Sequence, residues 1–211
     1  IARGGPVYQD ANVKVTAIEN CHYHSPPSAT ASDAERDKSF AYRFETADRV
    51  IVVTGDTGPC AALTDFSRNA DILISEVMSM DATDKWLTER RRLSPEQREV
   101  FRRRNERDHF APEEVGKLAA AAGVKMVVLT HVAPGDYTGP DDSIYSAGVK
   151  RFYSGPVIVA DRTLLVQVMV NLIRNAIDAM STLDGDRSLR ISASPTADGW
   201  VELAVADRGP G

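Results

Sequence analysis

Residues 157–180 read VIVADRTLLVQVMVNLIRNAIDAM. The first few residues form an apolar, β-branched run that suits a short strand. From Asp161 the period becomes that of a long amphipathic helix, 162–181, with Asp161 as its N-cap. On that helix Leu165, Val168, Leu172, Ile173, Ala176 and Met180 share an apolar side, and Gln167, Asn171, Arg174, Asn175 and Asp178 a polar one. The stretch closes one domain and opens another, and the chain on either side says which two.

Upstream, residues 13–18, 40–45 and 49–54 alternate or run apolar with β-branched residues between polar turns, and read as strands. A helix to about Asn69, the strand DILISEV, and an arginine-rich helix from Asp84 to Arg107 follow. Next come the helix APEEVGKLAAAAG, with Pro112 early and Gly123 as its stop, and the strand VKMVVLT. A short helix, DDSIYSAGVKRFY, and a terminal strand, GPVIVA, complete an α/β succession. Downstream, SLRISAS and WVELAVA read as a hairpin across PTADG.

The 211 residues are 43% hydrophobic with a net charge of −5, an ordinary globular composition with room for one large or two small domains. That charge gives no general reason to expect nucleic acid or a membrane, and ERRRLSPEQREVFRRRNER reads first as a solvated helix. No apolar run approaches the ~20 residues that cross a bilayer. Cys21 and Cys60 are the only cysteines, so no disulfide framework is expected and a reducing, cytoplasmic compartment is the default. The chain begins at Ile1 and ends at DRGPG, which reads as a cut inside a motif.

Polar residues stand where strands end: His22 in ENCHYH, Asp56 in VVTGDT, Glu76 in LISEV and His131 in VVLTH. Strand ends of α/β folds gather chemistry because the sheet fixes the backbone while the loop aims the side chain. Imidazoles and a carboxylate suit zinc. Each residue alone reads as readily as a hydrogen-bonded loop residue; their order carries the signal.

That order resembles the C-terminal half of the metallo-β-lactamase fold, in the branch that contains ribonuclease Z. The matching pieces are ENCHYH with KSFAYRF, RVIVVTGDTGP, ADILISEV, HFAPEEVGKLAAAAGVKMVVLTH and GPVIVA. The resemblance implies part of an αββα sandwich over residues 1–160 and a hydrolase of phosphodiesters, or of lactones and other esters. It also implies a two-zinc site in which His22 binds one ion, Asp56 bridges both and His131 binds the other; His24 is second choice to His22. His109 would donate a proton to the departing oxygen, oriented by Glu76, so that His109, Glu76 and Asp56 are the catalytic group. The family's His-x-His-x-Asp-His motif does not occur in this sequence, so the site is expected to be incomplete and the chain inactive as given.

QVMVNLIRNAIDAM resembles the N-box of sensor histidine kinases, and VADRGPG their first glycine box. This implies that residues 161–211 are a fragment of an α/β ATPase domain, helix plus hairpin. Asn175 would hold Mg²⁺ with Asn171 beside it, Asp207 would accept from the adenine amino group, and Gly209 and Gly211 would let backbone approach ATP. Three readings stand: a metal-dependent hydrolase, an ATP-binding histidine kinase of a two-component system, or a non-functional chimera of the two.

Overall fold

The computed structural model describes residues 4–23, 37–134, 142–160, 188–195 and 201–206, with residues 173, 175, 177 and 180. The chain divides into two units, Ile1–Ala160 and Asp161–Gly211.

The first unit is built on one seven-stranded sheet in sequential order. Its strands are β1 (Gly4–Gln9), β2 (Lys14–Glu19), β3 (Phe40–Glu45), β4 (Val50–Val53), β5 (Ile72–Met78), β6 (Val127–Ala133) and β7 (Val157–Val159). The pairs from β1 to β4 are antiparallel and those from β4 to β7 parallel. Two antiparallel reversals restore the direction of β2 in β4, so the C-terminal ends of β2, β4, β5 and β6 all reach one edge of the sheet. The loops that follow therefore share that edge. β1 had no counterpart in the sequence reading: its Gly-Gly-Pro opening looks like a turn, and pairing with β2 makes it a strand.

Helices α1 (Ala61–Phe66), α4 (Pro112–Ala122) and α5 (Ser143–Lys150) cross between strands. Leu63, Val115, Leu118, Ala119, Tyr145 and Val149 from these helices bury against Ala41, Val52, Leu73, Val127 and Leu129 of the sheet. Gly123 ends α4 in the left-handed conformation at φ 65°, the geometry for which glycine carries no steric penalty. The alternate residues of the same strands, Ile51, Val53, Ile72, Ile74 and Val128, pair across the sheet and stay partly exposed. The parallel part of a sheet is normally covered on both faces; among the described residues this second face of β4 to β6 is largely apolar and only partly covered.

The arginine-rich stretch is two helices, α2 (Met80–Glu89) and α3 (Pro95–Asp108), and not the single helix expected from 84 to 107. Ser94 and Gln97 form a reciprocal capping box and Pro95 occupies the first turn, so a new helix starts there. The arginines are largely neutralised within the hairpin. Arg98 meets Asp84 at 2.7 Å, Arg102 meets Glu106 at 2.7 Å, and Arg103 meets Glu99 at 2.6 Å.

The expected absence of a disulfide is corrected: Cys21 and Cys60 are joined. They lie 39 residues apart in sequence, but one follows β2 and the other β4, and both loops emerge at the same edge of the sheet. Their Cα atoms are 5.6 Å apart.

In the second unit, residues 173, 175, 177 and 180 are helical, and β8 (Arg190–Pro195) pairs antiparallel with β9 (Val201–Ala206). No helix of the described residues is long and apolar enough to cross a membrane.

Candidate active site at the sheet edge

Glu76 lies near the end of β5, in the same alternation as Ile72 and Ile74, and its side chain is only 2% exposed. A buried carboxylate needs partners, because desolvation disfavours the charged form. Glu76 has several. Its Oε1 accepts from the Thr57 amide at 2.8 Å and the Phe110 amide at 3.4 Å, and both oxygens lie 3.0 Å from His109 Nδ1. An ionised carboxylate can only accept, so His109 donates from Nδ1 and turns Nε2 away from Glu76. Burial pushes the His109 pKa down, but the hydrogen bond and charge of Glu76, helped by Asp56, outweigh it and the net shift is upward.

His22 follows β2. Its backbone N–H donates to Asn20 Oδ1 at 3.2 Å, and Asn20 Nδ2 in turn donates to the Thr54 carbonyl at 2.7 Å. Its ring is anchored on the far side: Nδ1 lies 2.9 Å from the backbone carbonyl of Asp108, which can only accept, so Nδ1 again carries the hydrogen. The His22 and His109 rings stand edge to face with centroids 5.0 Å apart.

Asp56 sits in the turn after β4, where Gly55 has φ 63°. His131 Nε2 lies 3.2 Å from Asp56 Oδ2. The bond from His131 holds the Asp56 carboxyl below its usual range against the effect of burial, and His109 and His22 add to the same field. His131 is the extra residue of a bulge in β6: Thr130 pairs with Glu76 and Val132 with Val77, leaving His131 between them at φ 46°. A left-handed conformation costs a non-glycine residue of the order of 1 kcal/mol, and such strain persists where the surroundings dictate it. Here the bulge re-aims the imidazole toward Asp56.

His22, Asp56, Glu76, His109 and His131 are thus brought to one edge of the sheet. His24, Asn171, Asp207, Gly209 and Gly211 lie outside the described residues, and Asn175 is helical and exposed. Three contributors had no role in the sequence reading. The Asp108 contact is a main-chain carbonyl, which no side-chain pattern announces. Asn20 and Thr57 flank the selected residues, and adjacency to them was the only signal available.

For zinc, the chemistry of His22, Asp56 and His131 is suitable. Their arrangement supplies part of a donor set and does not complete one. Among the described residues no three His, Cys, Asp or Glu side chains gather as a metal ion requires. A cation between Asp56 and His131 would also have to replace their direct bond.

Comparison with known proteins agrees with this architecture. Residues 1–132 match the beta-lactamase superfamily domain, and the chain belongs to that family. Ribonuclease Z of Methanosarcina acetivorans is 32% identical over 120 residues, which are 57% of this chain and 33% of that protein. Ribonuclease Z of Myxococcus xanthus is 30% identical over 112 residues, 53% of this chain and 30% of its own. The chain therefore spans about a third of the length of these relatives. Sensor protein FixL of Bradyrhizobium diazoefficiens is 42% identical over 55 residues, 26% of this chain and 11% of that protein. Among solved structures, the metallo-beta-lactamase fold protein YhfI of Bacillus subtilis aligns with TM-score 0.49 at 20% identity, over 74% of this chain and 49% of its own.

Proposed function

We propose that the unit before Asp161 carries the leaving-group side of a phosphodiesterase site whose substrate is a nucleic acid. The observation that carries this reading is the buried Glu76–His109 pair facing His22 across 5.0 Å. Held by Glu76, the His109 imidazole retains a proton more readily than a free one, and Nε2 is the atom from which it would pass to the departing oxygen. His22, Asp56 and His131 are the donors this chain would offer to zinc, which when bound supplies Lewis acidity at a phosphoryl oxygen and acidifies water. The names of the ribonuclease Z relatives favour a nucleic-acid diester over a lactone or simple ester. This displaces the expectation drawn from net charge, which averages over the whole chain and says little about one edge of a sheet.

The test is a chimera in which the N-terminal part of the Methanosarcina acetivorans ribonuclease Z precedes residues 1–160. It should cleave bis(p-nitrophenyl) phosphate with zinc. Asp56→Ala should abolish turnover and His109→Gln should lower it by roughly 10²-fold or more, the usual contribution of a positioned acid. A chimera that folds and holds zinc but leaves the diester intact defeats the reading.

The FixL relative favours a second reading for residues 161–211, a fragment of an ATP- and Mg²⁺-binding domain in which Asn175 faces the nucleotide. Saturable binding of a fluorescent ATP analogue, lost in Asn175→Ala, would support it. The absence of saturation at millimolar analogue would end it.

A further inference from the structure

Gly58 directly follows Thr57 in the turn that carries Asp56. Its φ is not among the positive ones, so the turn does not require glycine for its backbone conformation. What it requires is space. A Cβ at this position would collide with the carbonyl oxygen of Arg107, and would lie 2.7 Å from that carbonyl's carbon and 3.4 Å from the Asp108 nitrogen. The C-terminal end of α3 is thus seated directly on this turn, main chain against main chain.

That end of α3 does two things for the site. Its last carbonyls lack partners within the helix, and one of them, Asp108 O, takes the Nδ1 hydrogen of His22 at 2.9 Å. The next residue, His109, leaves the helix with extended backbone and places its ring on Glu76. The turn also grips the segment bearing His22 from the other side. Gly58 N–H donates to the Cys21 carbonyl at 3.4 Å, and the Cys21 amide donates to Thr57 Oγ1 at 3.1 Å. Gly58 lies between the two structures that aim the two imidazoles.

We propose that Gly58 is a positioning residue: its missing side chain lets the end of α3 dock on the 55–59 turn, and that docking fixes the Nδ1–H tautomer and ring orientation of His22 and His109. Both rings then present Nε2 to the cleft. The value of that orientation rests on the hydrolase reading above, but the test reads ring tautomers and not turnover, so either can fail without the other.

The experiment is long-range ¹H–¹⁵N spectroscopy of the histidine-labelled chain with chelator, on neutral rings. In the wild type His22 and His109 should both be Nδ1–H tautomers. Gly58→Ala should move His22 toward Nε2–H, the form a free imidazole favours, and change the His109 shifts, while His131 keeps its signature. Arg98→Ala frees α3 from Asp84 on α2 but leaves the seat intact, so it should preserve both Nδ1–H tautomers. Wild-type His22 as Nε2–H overturns the proposal whether or not Gly58→Ala folds. So does a folded Gly58→Ala with unchanged rings. A tautomer change in Arg98→Ala would assign the positioning to the helical hairpin and overturn it as well.

Discussion

The edge of the sheet holds two carboxylate–imidazole pairs that differ in their surroundings. Glu76 and His109 are 2% and 14% exposed; Asp56 and His131 are 38% and 51% exposed. The buried pair is saturated from the protein side, with two backbone amides on the carboxylate as well as the ring. The open pair is joined by the contact between His131 Nε2 and Asp56 Oδ2, and both side chains are more exposed to solvent. Equal chemistry at the two places therefore means different things. Burial makes the first pair a fixed unit in which removal of either member leaves the other stranded. Exposure makes the mutual bond of the second worth less, because solvent screens it.

The Cys21–Cys60 link ties the loop that bears His22 to the loop that supplies Asp56 to one pair and the Thr57 amide to the other, and its removal has the largest expected effect. Closing 39 residues of chain restricts the unfolded state by about 4 kcal/mol in the chain-entropy account. Denaturant unfolding with and without a phosphine reductant measures this directly. A loss near that size, equal in wild type and Asp56→Ala, is expected; no loss would mean that the link does not persist in solution.

Next in size is the difference between the pairs themselves. Glu76→Gln keeps the shape but cannot offer two acceptor oxygens to His109, Thr57 and Phe110. The expected cost is about 3 kcal/mol, in the range for breaking a buried pair. Asp56→Ala breaks an exposed pair and should cost less than about 1 kcal/mol. Urea unfolding of the two variants under chelator provides the comparison, and equal costs would erase the distinction drawn from exposure.

The sequence made the sheet edge legible because it depends on local signals: alternating β-branched runs that stop, and a polar residue just past each stop. GDT after RVIVV and H after VVLT are such cases. Signals that depend on a partner distant in sequence were not legible. The disulfide required knowing that the loops after β2 and β4 are neighbours. β1 required β2 beside it to become a strand. The break between α2 and α3 was written locally in Ser94, Pro95 and Gln97, but a continuous run of charge obscured it. The bulge at His131 leaves no mark in an otherwise regular strand, although it determines where that imidazole points.

The smallest effect separates the pairs by pH. The folded pKa of His109 is raised, so the folded state holds its proton more tightly than the unfolded chain, whose imidazole titrates near ~6.5. Stability from this pair is fully present below that value and is lost as pH rises through the folded pKa. Asp56 is shifted the other way. Its contribution is present above the unfolded carboxylate value of about 3.9, and is lost as pH falls through the lower folded one. The two pairs should therefore erode stability on opposite limbs of one profile. Thermal midpoints measured with chelator from acid to mildly alkaline pH should show a decline as pH rises past the unfolded imidazole value of about 6.5 that His109→Gln flattens, and a decline at acid pH that Asp56→Asn flattens. Each variant should leave the other limb in place. If wild type and His109→Gln run parallel above pH 6, the Glu76 contact is not retaining the proton, and with it goes the ground for treating His109 as the donor to the leaving group.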